Sequence, residues 1–248
     1  TSAATTALNV TADANLDLTG STLTALETAT ITGAGNVTLG DISGSVTSVN
    51  AGTATGDICA TVAGDTADVS TNTGDDDITV NTAALSKDVD LGAGNDTLTL
   101  SAATANVPTG TVTGGDDTDT VAMTFASAQA LDGNTNFATA ISGFEQMTIT
   151  DQAIMAADAD ITLDMEALGF DYLTLAQGTD DTENTSANKL ILNNFANNGT
   201  VVLEGDQLGT GGGTSQASTQ VNVKDAATNA SDVLNLEVSG EDTITAGT

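Results

Sequence analysis

The sequence is poor in positive charge and lacks several side chains on which most enzymes depend. Its 248 residues contain no histidine, no arginine and no tryptophan, and the basic residues are Lys87, Lys189 and Lys224. Without histidine, the chain lacks the commonest general base and transition-metal ligand. Without arginine, it has no bidentate clamp for a phosphate or a substrate carboxylate. Carboxylates alone can still hydrolyse glycosides, but the composition favours a protein that is not an enzyme.

Acidic residues dominate the charge. The 34 Asp and Glu residues against 3 basic residues give a formal net charge of −31. A compact chain with this charge repels itself and therefore needs counter-cations. It has too few cations to neutralise phosphates, so we expect no nucleic-acid partner. No apolar run approaches the roughly 20 residues of a membrane helix, so we expect no membrane insertion.

Cysteine and proline each occur once, as Cys59 and Pro108. A single cysteine excludes an intramolecular disulfide. The scarcity of cysteine in a chain rich in Thr, Ala, Asp, Asn and Gly is typical of a secreted bacterial protein that is stabilised by metal. No signal-peptide pattern opens the sequence, so we expect the export signal to lie elsewhere.

The apolar residues that are present alternate with polar residues in many short runs. Examples are Ile78–Val80, Val89–Leu91 and Leu98–Leu100, each bounded by Gly, Asn or Asp. A period of two residues predicts β-strands that are buried on one face. We expect Ile78, Val80, Leu98 and Leu100 to point inward and Thr79, Thr97 and Thr99 to point outward.

The turns between these strands recur along the chain. Gly35, Gly56, Gly74 and Gly94 open similar loops at intervals of 18 to 21 residues. A repeat of about 20 residues with two short strands predicts a solenoid, in which the two strands of each coil lie in opposite parallel sheets. The predicted fold is therefore all-β, a right-handed parallel β-roll or β-helix.

The regular spacing of strands and turns changes near residue 126. Ser127–Leu131 and Phe137–Ile141 are predicted to form short helical turns, and the strand spacing is looser after them. We therefore predict a β-roll over residues 1–126. An irregular, β-rich solenoid over residues 127–248 is expected to continue into further repeats.

The loops carry a pattern of glycine, aspartate and an apolar residue that suits a cation. Calcium takes 6–8 oxygens from carboxylates and backbone carbonyls, and glycines let a tight loop turn its carbonyls toward one point. The best matches are Leu91–Thr99 and Gly114–Ala122, with partial matches at Thr71–Thr79 and Glu237–Thr245. The predicted calcium-site residues are Gly74, Asp75, Asp76, Gly92, Gly94, Asp96, Gly114, Asp117, Asp119, Gly240 and Asp242.

This pattern resembles the nonapeptide Gly-Gly-x-Gly-x-Asp-x-(apolar)-x of RTX proteins. Together with the Thr/Ala/Asp-rich composition and the run Gly143-Phe144-Glu145-Gln146-Met147-Thr148-Ile149, it is similar to RTX-type bacterial surface-layer proteins. The resemblance implies type I secretion and a place on the outer cell surface. It also implies self-assembly into a lattice or filament-like homo-oligomer, with calcium both folding the chain and bridging its copies. A contact with cell-surface polysaccharide through another region stays open.

Three other interpretations fit the same residues. The chain could be a repeat module of a secreted RTX adhesin or biofilm protein. It could also be the calcium-binding region of a secreted enzyme whose catalytic domain lies elsewhere. Finally, the Gly/Asp loops could be ordinary acidic turns that bind no ion.

Overall fold

The computed structural model describes residues 5–21, 23–82, 84–101, 107–134, 136–154, 159–180, 188–204, 218–225 and 231–239. The chain forms two compact units, Thr1–Ala122 with Asn136–Glu145, and Met123–Thr135 with Gln146–Thr248. The boundary that the sequence suggests at residue 126 stays a prediction. No helix in the described ranges is long and apolar enough to span a membrane.

The first unit is built from short strands separated by turns. Its strands are β1 (Ala7–Ala12), β2 (Leu16–Asp17), β3 (Thr28–Gly33), β4 (Val37–Asp41), β5 (Ser48–Ala54), β6 (Ile58–Val62), β7 (Asp68–Ser70), β8 (Asp77–Val80), β9 (Val89–Ala93), β10 (Thr97–Leu100), β11 (Val112–Asp116), β12 (Thr120–Met123) and β13 (Ile141–Ser142).

Consecutive strands of this unit go to different sheets. The odd-numbered strands form one sheet in the order β1-β3-β5-β7-β9-β11-β13, and the even-numbered strands β2 to β12 follow one another in a second sheet. The pairings are parallel, for example β3 with β5 and β8 with β10. The all-β class, the parallel pairing and the placement of β8 and β9 in two different sheets are confirmed.

The two faces of each strand follow the predicted alternation. Ile78 pairs with Leu98 and Val80 with Leu100, and all four side chains are buried. The threonines between them are half-exposed. Burial of branched apolar side chains stabilises the unit at about 25 cal/mol per Å² of apolar surface removed from water.

We call an odd-numbered strand of this unit, together with the even-numbered strand that follows it, a coil. Glycines allow the turns of successive coils to stack closely. A Cβ atom on Gly94 would lie 2.0 Å from the carbonyl oxygen of Gly74, and Gly94 has a φ of +139°. Cβ atoms on Gly74 and Gly56 would lie 2.8 and 2.6 Å from the carbonyl carbons of Gly56 and Gly35. The four glycines with which the predicted loops begin therefore lie one above another.

The second unit is also β-rich. Its strands are β14 (Gln146–Ile149), β15 (Ala153–Ile154), β16 (Ile161–Asp164), β17 (Tyr172–Leu175), β18 (Thr179–Asp180), β19 (Lys189–Phe195), β20 (Thr200–Glu204), β21 (Ser218–Val223) and β22 (Asn235–Ser239). They pair in parallel in the orders β14-β17-β20-β22, β16-β19-β21 and β15-β18.

Three short helices lie in the described chain: α1 (Phe125–Asp132), α2 (Phe137–Ala140) and α3 (Met165–Leu168). The first two coincide with the predicted helical turns, except that Ile141 belongs to β13. The helix α3 was not expected from the sequence. Asp164 caps it by accepting from the amides of Glu166 and Ala167, and Gly169 ends it in a left-handed conformation.

Candidate calcium site

One position at the start of the even-numbered strands changes its chemistry along the first unit. In the first three coils it holds Leu16, Val37 and Ile58, which are paired in register. In the following coils a carboxylate residue takes this position. It lies one residue before Asp77, Thr97 and Thr120. We call the first set the apolar column. The second set, the carboxylate column, consists of Asp76, Asp96, Asp119 and Glu145.

The carboxylates are linked to one another through the backbone. Asp96 Oδ1 accepts from the amide of Asp76, and Asp119 Oδ1 accepts from the amide of Asp96, both at 2.8 Å. At the two ends of the column, Asp76 Oδ1 accepts from the amide of Ile58 at 2.6 Å, and Glu145 Oε2 accepts from the amide of Asp119 at 2.9 Å. Each carboxylate is therefore fixed in place by the preceding coil.

The second oxygen of the three aspartates has no such partner. Asp76, Asp96 and Asp119 are 2%, 1% and 0% exposed, and the Oδ2 atom of each is buried without a hydrogen bond. Burial raises the pKa of Asp76 to about 6. Burial, with the neighbouring charges of Asp76 and Asp119 adding to it, raises the pKa of Asp96 to about 7. A buried carboxylate with an unsatisfied oxygen is costly unless a cation or a proton compensates it.

The backbone at Gly114 lies close to both Asp119 and Gly143. A Cβ atom on Gly114 would lie 2.5 Å from Asp119 Oδ2 and 2.0 Å from the carbonyl oxygen of Gly143. Because residue 114 is glycine, a carboxylate oxygen and a carbonyl oxygen can both approach its backbone and lie close to each other. Carboxylate and backbone carbonyl oxygens are the donor types that calcium prefers in proteins. Burial raises the pKa of Asp119 to about 6, and the nearby charge of Glu145 contributes to this.

The position facing the column differs from coil to coil. Gly114 is in register with Leu91, which is in register with Thr71. Leu91 and Thr71 are both buried, and the Thr71 hydroxyl donates to the Leu91 carbonyl at 2.5 Å. The coil of Asp119 is therefore the one in which the facing residue is a glycine, whereas leucine and threonine side chains occupy that position in the coils of Asp96 and Asp76.

The other residues predicted from the motif lie beside the column or outside the described chain. Asp75 is exposed, and its Oδ1 accepts from the amide of Asn95 at 2.8 Å, so it belongs to an outer row of turn side chains. Asp117 is also exposed and adopts a φ of 82°, which serves the turn. Gly240 and Asp242 lie outside the described residues.

The remaining predicted glycines shape the loops. Gly74 and Gly94 belong to the glycine stack described above. Gly92 has a φ of +98°, and a Cβ atom on it would lie 2.2 Å from the carbonyl oxygen of Asn72. These glycines let the coils approach each other and place the aspartates at the spacing of one coil.

Glu145 is the member of the column that the motif search missed. It is exposed and lies at the last position of the column. The signal was present, because Gly143-x-Glu145-x-Met147 has the spacing of the Gly-x-Asp-x-apolar core with glutamate in place of aspartate. The interval of 26 residues from Asp119 is longer than the other coil intervals, so Glu145 does not fall at the spacing at which the motif recurs.

Side chains alone do not form a metal site in the described part of the chain. Nowhere among those residues do three or more His, Cys, Asp or Glu side chains form a group able to hold a metal ion. An ion at Asp119 would therefore draw on backbone carbonyls, which calcium accepts readily.

Comparisons with protein-family models, with curated proteins and with solved structures return no significant match to this chain. The fold and the site define the chain as an all-β protein of parallel sheets with three buried aspartates in one column.

Proposed function

We propose that this chain is a calcium-stabilised structural protein, a right-handed parallel β-solenoid that acts as a subunit of a self-assembling bacterial surface layer. The observation that carries the proposal is the carboxylate column. Three aspartates are buried, and each has an oxygen without a hydrogen bond.

Calcium explains the column better than ordinary acidic turns do. Turn carboxylates are normally exposed and satisfied by local amides, as Asp17 is by the amide of Thr19 at 2.8 Å. Asp76, Asp96 and Asp119 instead replace apolar residues at an inward position. A divalent ion at these oxygens would neutralise charge in a chain of net charge −31 and convert its binding energy into folding energy.

The same geometry favours a structural role. Each buried aspartate accepts a hydrogen bond from a backbone amide of the preceding coil. The carboxylate therefore connects two coils and has a fixed position. A general acid or nucleophile needs an oxygen that can reach a substrate. With no histidine or arginine in the sequence, the column is better suited to holding the stack together.

Self-assembly is supported by the resemblance to surface-layer proteins, and the surface charge indicates that it would require a cation. Copies of a chain with 34 acidic and 3 basic residues repel one another, and few salt bridges can join them. Calcium shared between exposed carboxylates of neighbouring copies would reverse that repulsion. We therefore expect assembly at calcium concentrations above those that complete folding.

Light scattering and electron microscopy of the chain during a calcium titration test this function. We expect circular dichroism to report folding first, followed by a rise in scattering and the appearance of ordered sheets. Sodium chloride at equal ionic strength serves as the control and should not replace calcium. A chain that folds with calcium but stays monomeric at high concentration would favour the adhesin module over the surface layer.

A further inference from the structure

We infer that calcium controls the folding of only the later coils of the first unit, and that strands β1 to β6 form a calcium-independent nucleus. This inference rests on the proposed calcium function. The observation behind it is the switch from the apolar column to the carboxylate column between β6 and β8.

The early coils contain no buried charge that would need an ion. Among the described residues before Thr71, no polar or charged side chain is buried. Val37 and Ile58 are 0% and 1% exposed and fill the position that Asp76 takes one coil later. The early coils therefore avoid the desolvation cost that an unpaired buried carboxylate imposes.

The hydrogen bonds at this position change at the same place. In the early coils, the amides of Leu16 and Val37 donate to backbone carbonyls, those of Asn36 and Asp57, at 2.8 Å. From Ile58 onward the amide at this position donates to a carboxylate. The early ladder is thus neutral, whereas the later ladder depends on charged groups that repel one another.

The early coils are also numerous enough to stand by themselves. Strands β1 to β6 make three coils, and β3 pairs with both β1 and β5 in the odd-numbered sheet. Repeat proteins need about three repeats for stability, and their stability is close to a sum of repeat and neighbour contributions. A boundary between folded and unfolded coils can therefore lie inside the unit.

Hydrogen exchange of the full chain, followed by mass spectrometry at pH 8, tests the inference. In chelator, amides of residues 28–62 should exchange at least about tenfold more slowly than those of an unfolded chain, whereas amides of residues 77–100 should exchange freely. Added calcium should slow exchange in the later segment and change the early segment little.

Two substitutions should move the boundary by one coil. Ile58→Asp extends the carboxylate column backward, so β6 should lose its protection in chelator. Asp76→Ile extends the apolar column forward, so β8 should gain protection. The adjacent outward-facing variants Cys59→Ser and Asp77→Asn are the matched controls and should leave the boundary in place.

The contradicting outcomes are distinct. If both segments gain protection at one calcium midpoint, calcium binding is supported, but the division into a calcium-independent and a calcium-dependent segment is wrong. If calcium changes the exchange of neither segment, the proposed function is wrong and the inference falls with it. If residues 28–62 exchange freely in chelator, the nucleus does not exist.

Discussion

At the scale of single residues, Asp96 shows how one side chain serves two purposes. Its Oδ1 accepts from the amide of Asp76, while its Oδ2 is buried without a hydrogen bond. The first oxygen connects two coils, and the second requires a cation or a proton. An asparagine would keep the first contact and remove the charge that attracts the cation.

We therefore expect Asp96→Asn to weaken calcium-dependent folding and to stabilise the calcium-free protein. Removal of a buried, uncompensated charge should raise the unfolding free energy in chelator by about 1–3 kcal/mol. The calcium midpoint for folding should still rise, because the lost ligand charge weakens calcium binding by more than the removed repulsion stabilises the calcium-free state. Circular dichroism during calcium titration measures both effects.

Asp90→Asn is the matched control, because Asp90 lies in the same coil but is exposed on the outer face of β9. It should shift the calcium midpoint little. Equal midpoints for the two variants would contradict the assignment of Asp96.

Gly94 offers a second residue-scale prediction, which concerns packing. Gly94→Ala places a Cβ atom 2.0 Å from the carbonyl oxygen of Gly74 and forces alanine to a φ of +139°. We expect a loss of about 2–4 kcal/mol in unfolding free energy, because both the clash and the backbone conformation are unfavourable. Urea denaturation in saturating calcium measures the loss.

Gly20→Ala is the control for this substitution, since no atom lies within 4 Å of the Cβ position at Gly20. It should change stability by less than about 0.5 kcal/mol. Similar losses for the two variants would mean that the coils do not stack as closely at Gly94 as the structure has them.

At the scale of elements, the three buried aspartates of the carboxylate column share a raised pKa. Burial raises the pKa of all three aspartates, to about 6 for Asp76 and Asp119 and about 7 for Asp96. The folded state thus binds more protons than the unfolded state between pH 4 and 7. Stability in chelator should therefore rise as the pH falls through this range and decrease as the pH rises through it.

We predict that the melting temperature in chelator increases when the pH is lowered from 8 to 5. With saturating calcium the increase should vanish or reverse, because protons compete with the ion for the same oxygens. Asp17 and Asp41, whose pKa is lowered by hydrogen bonds to Thr19 and Ser43, lose their charge below this window. Differential scanning calorimetry in the two buffers makes the comparison. A melting temperature in chelator that falls over this range would contradict the buried column.

The strands were predictable from sequence, and the reason is physical. Alternation fixes which residues face inward, so Ile78 and Leu98 could be placed before the structure was known. The glycine intervals fixed the coil length, because each loop needs glycine where it meets the loop before it. Both signals are local and repeat many times.

By contrast, the sequence did not predict that the apolar column and the carboxylate column occupy the same position in successive coils. Nothing local in Ile58 or Asp76 indicates that they occupy one position in adjacent coils. That correspondence depends on the register in which Cys59 pairs with Asp77. The helix α3 was missed because Ile161, Leu163 and Met165 carry the alternation of strand β16 into it. Glu145 was missed because its coil interval is longer.

At the scale of the whole molecule, the net charge of −31 connects folding with assembly. Self-repulsion opposes a compact chain and also opposes contact between copies. Under the proposed function, calcium would relieve both kinds of repulsion, first at the buried oxygens and then at the exposed ones. This order follows from the stronger interaction of charges in a medium of low dielectric constant.

Anomalous diffraction from crystals grown with calcium tests the central claim most directly. We predict an anomalous peak about 2.3–2.6 Å from Asp119 Oδ2, with the carbonyl oxygen of Gly143 as a second ligand. The peak should be absent from crystals soaked in chelator. In calcium-containing crystals, a hydrogen bond to Asp119 Oδ2 with no anomalous peak beside the carboxylate column would contradict the account.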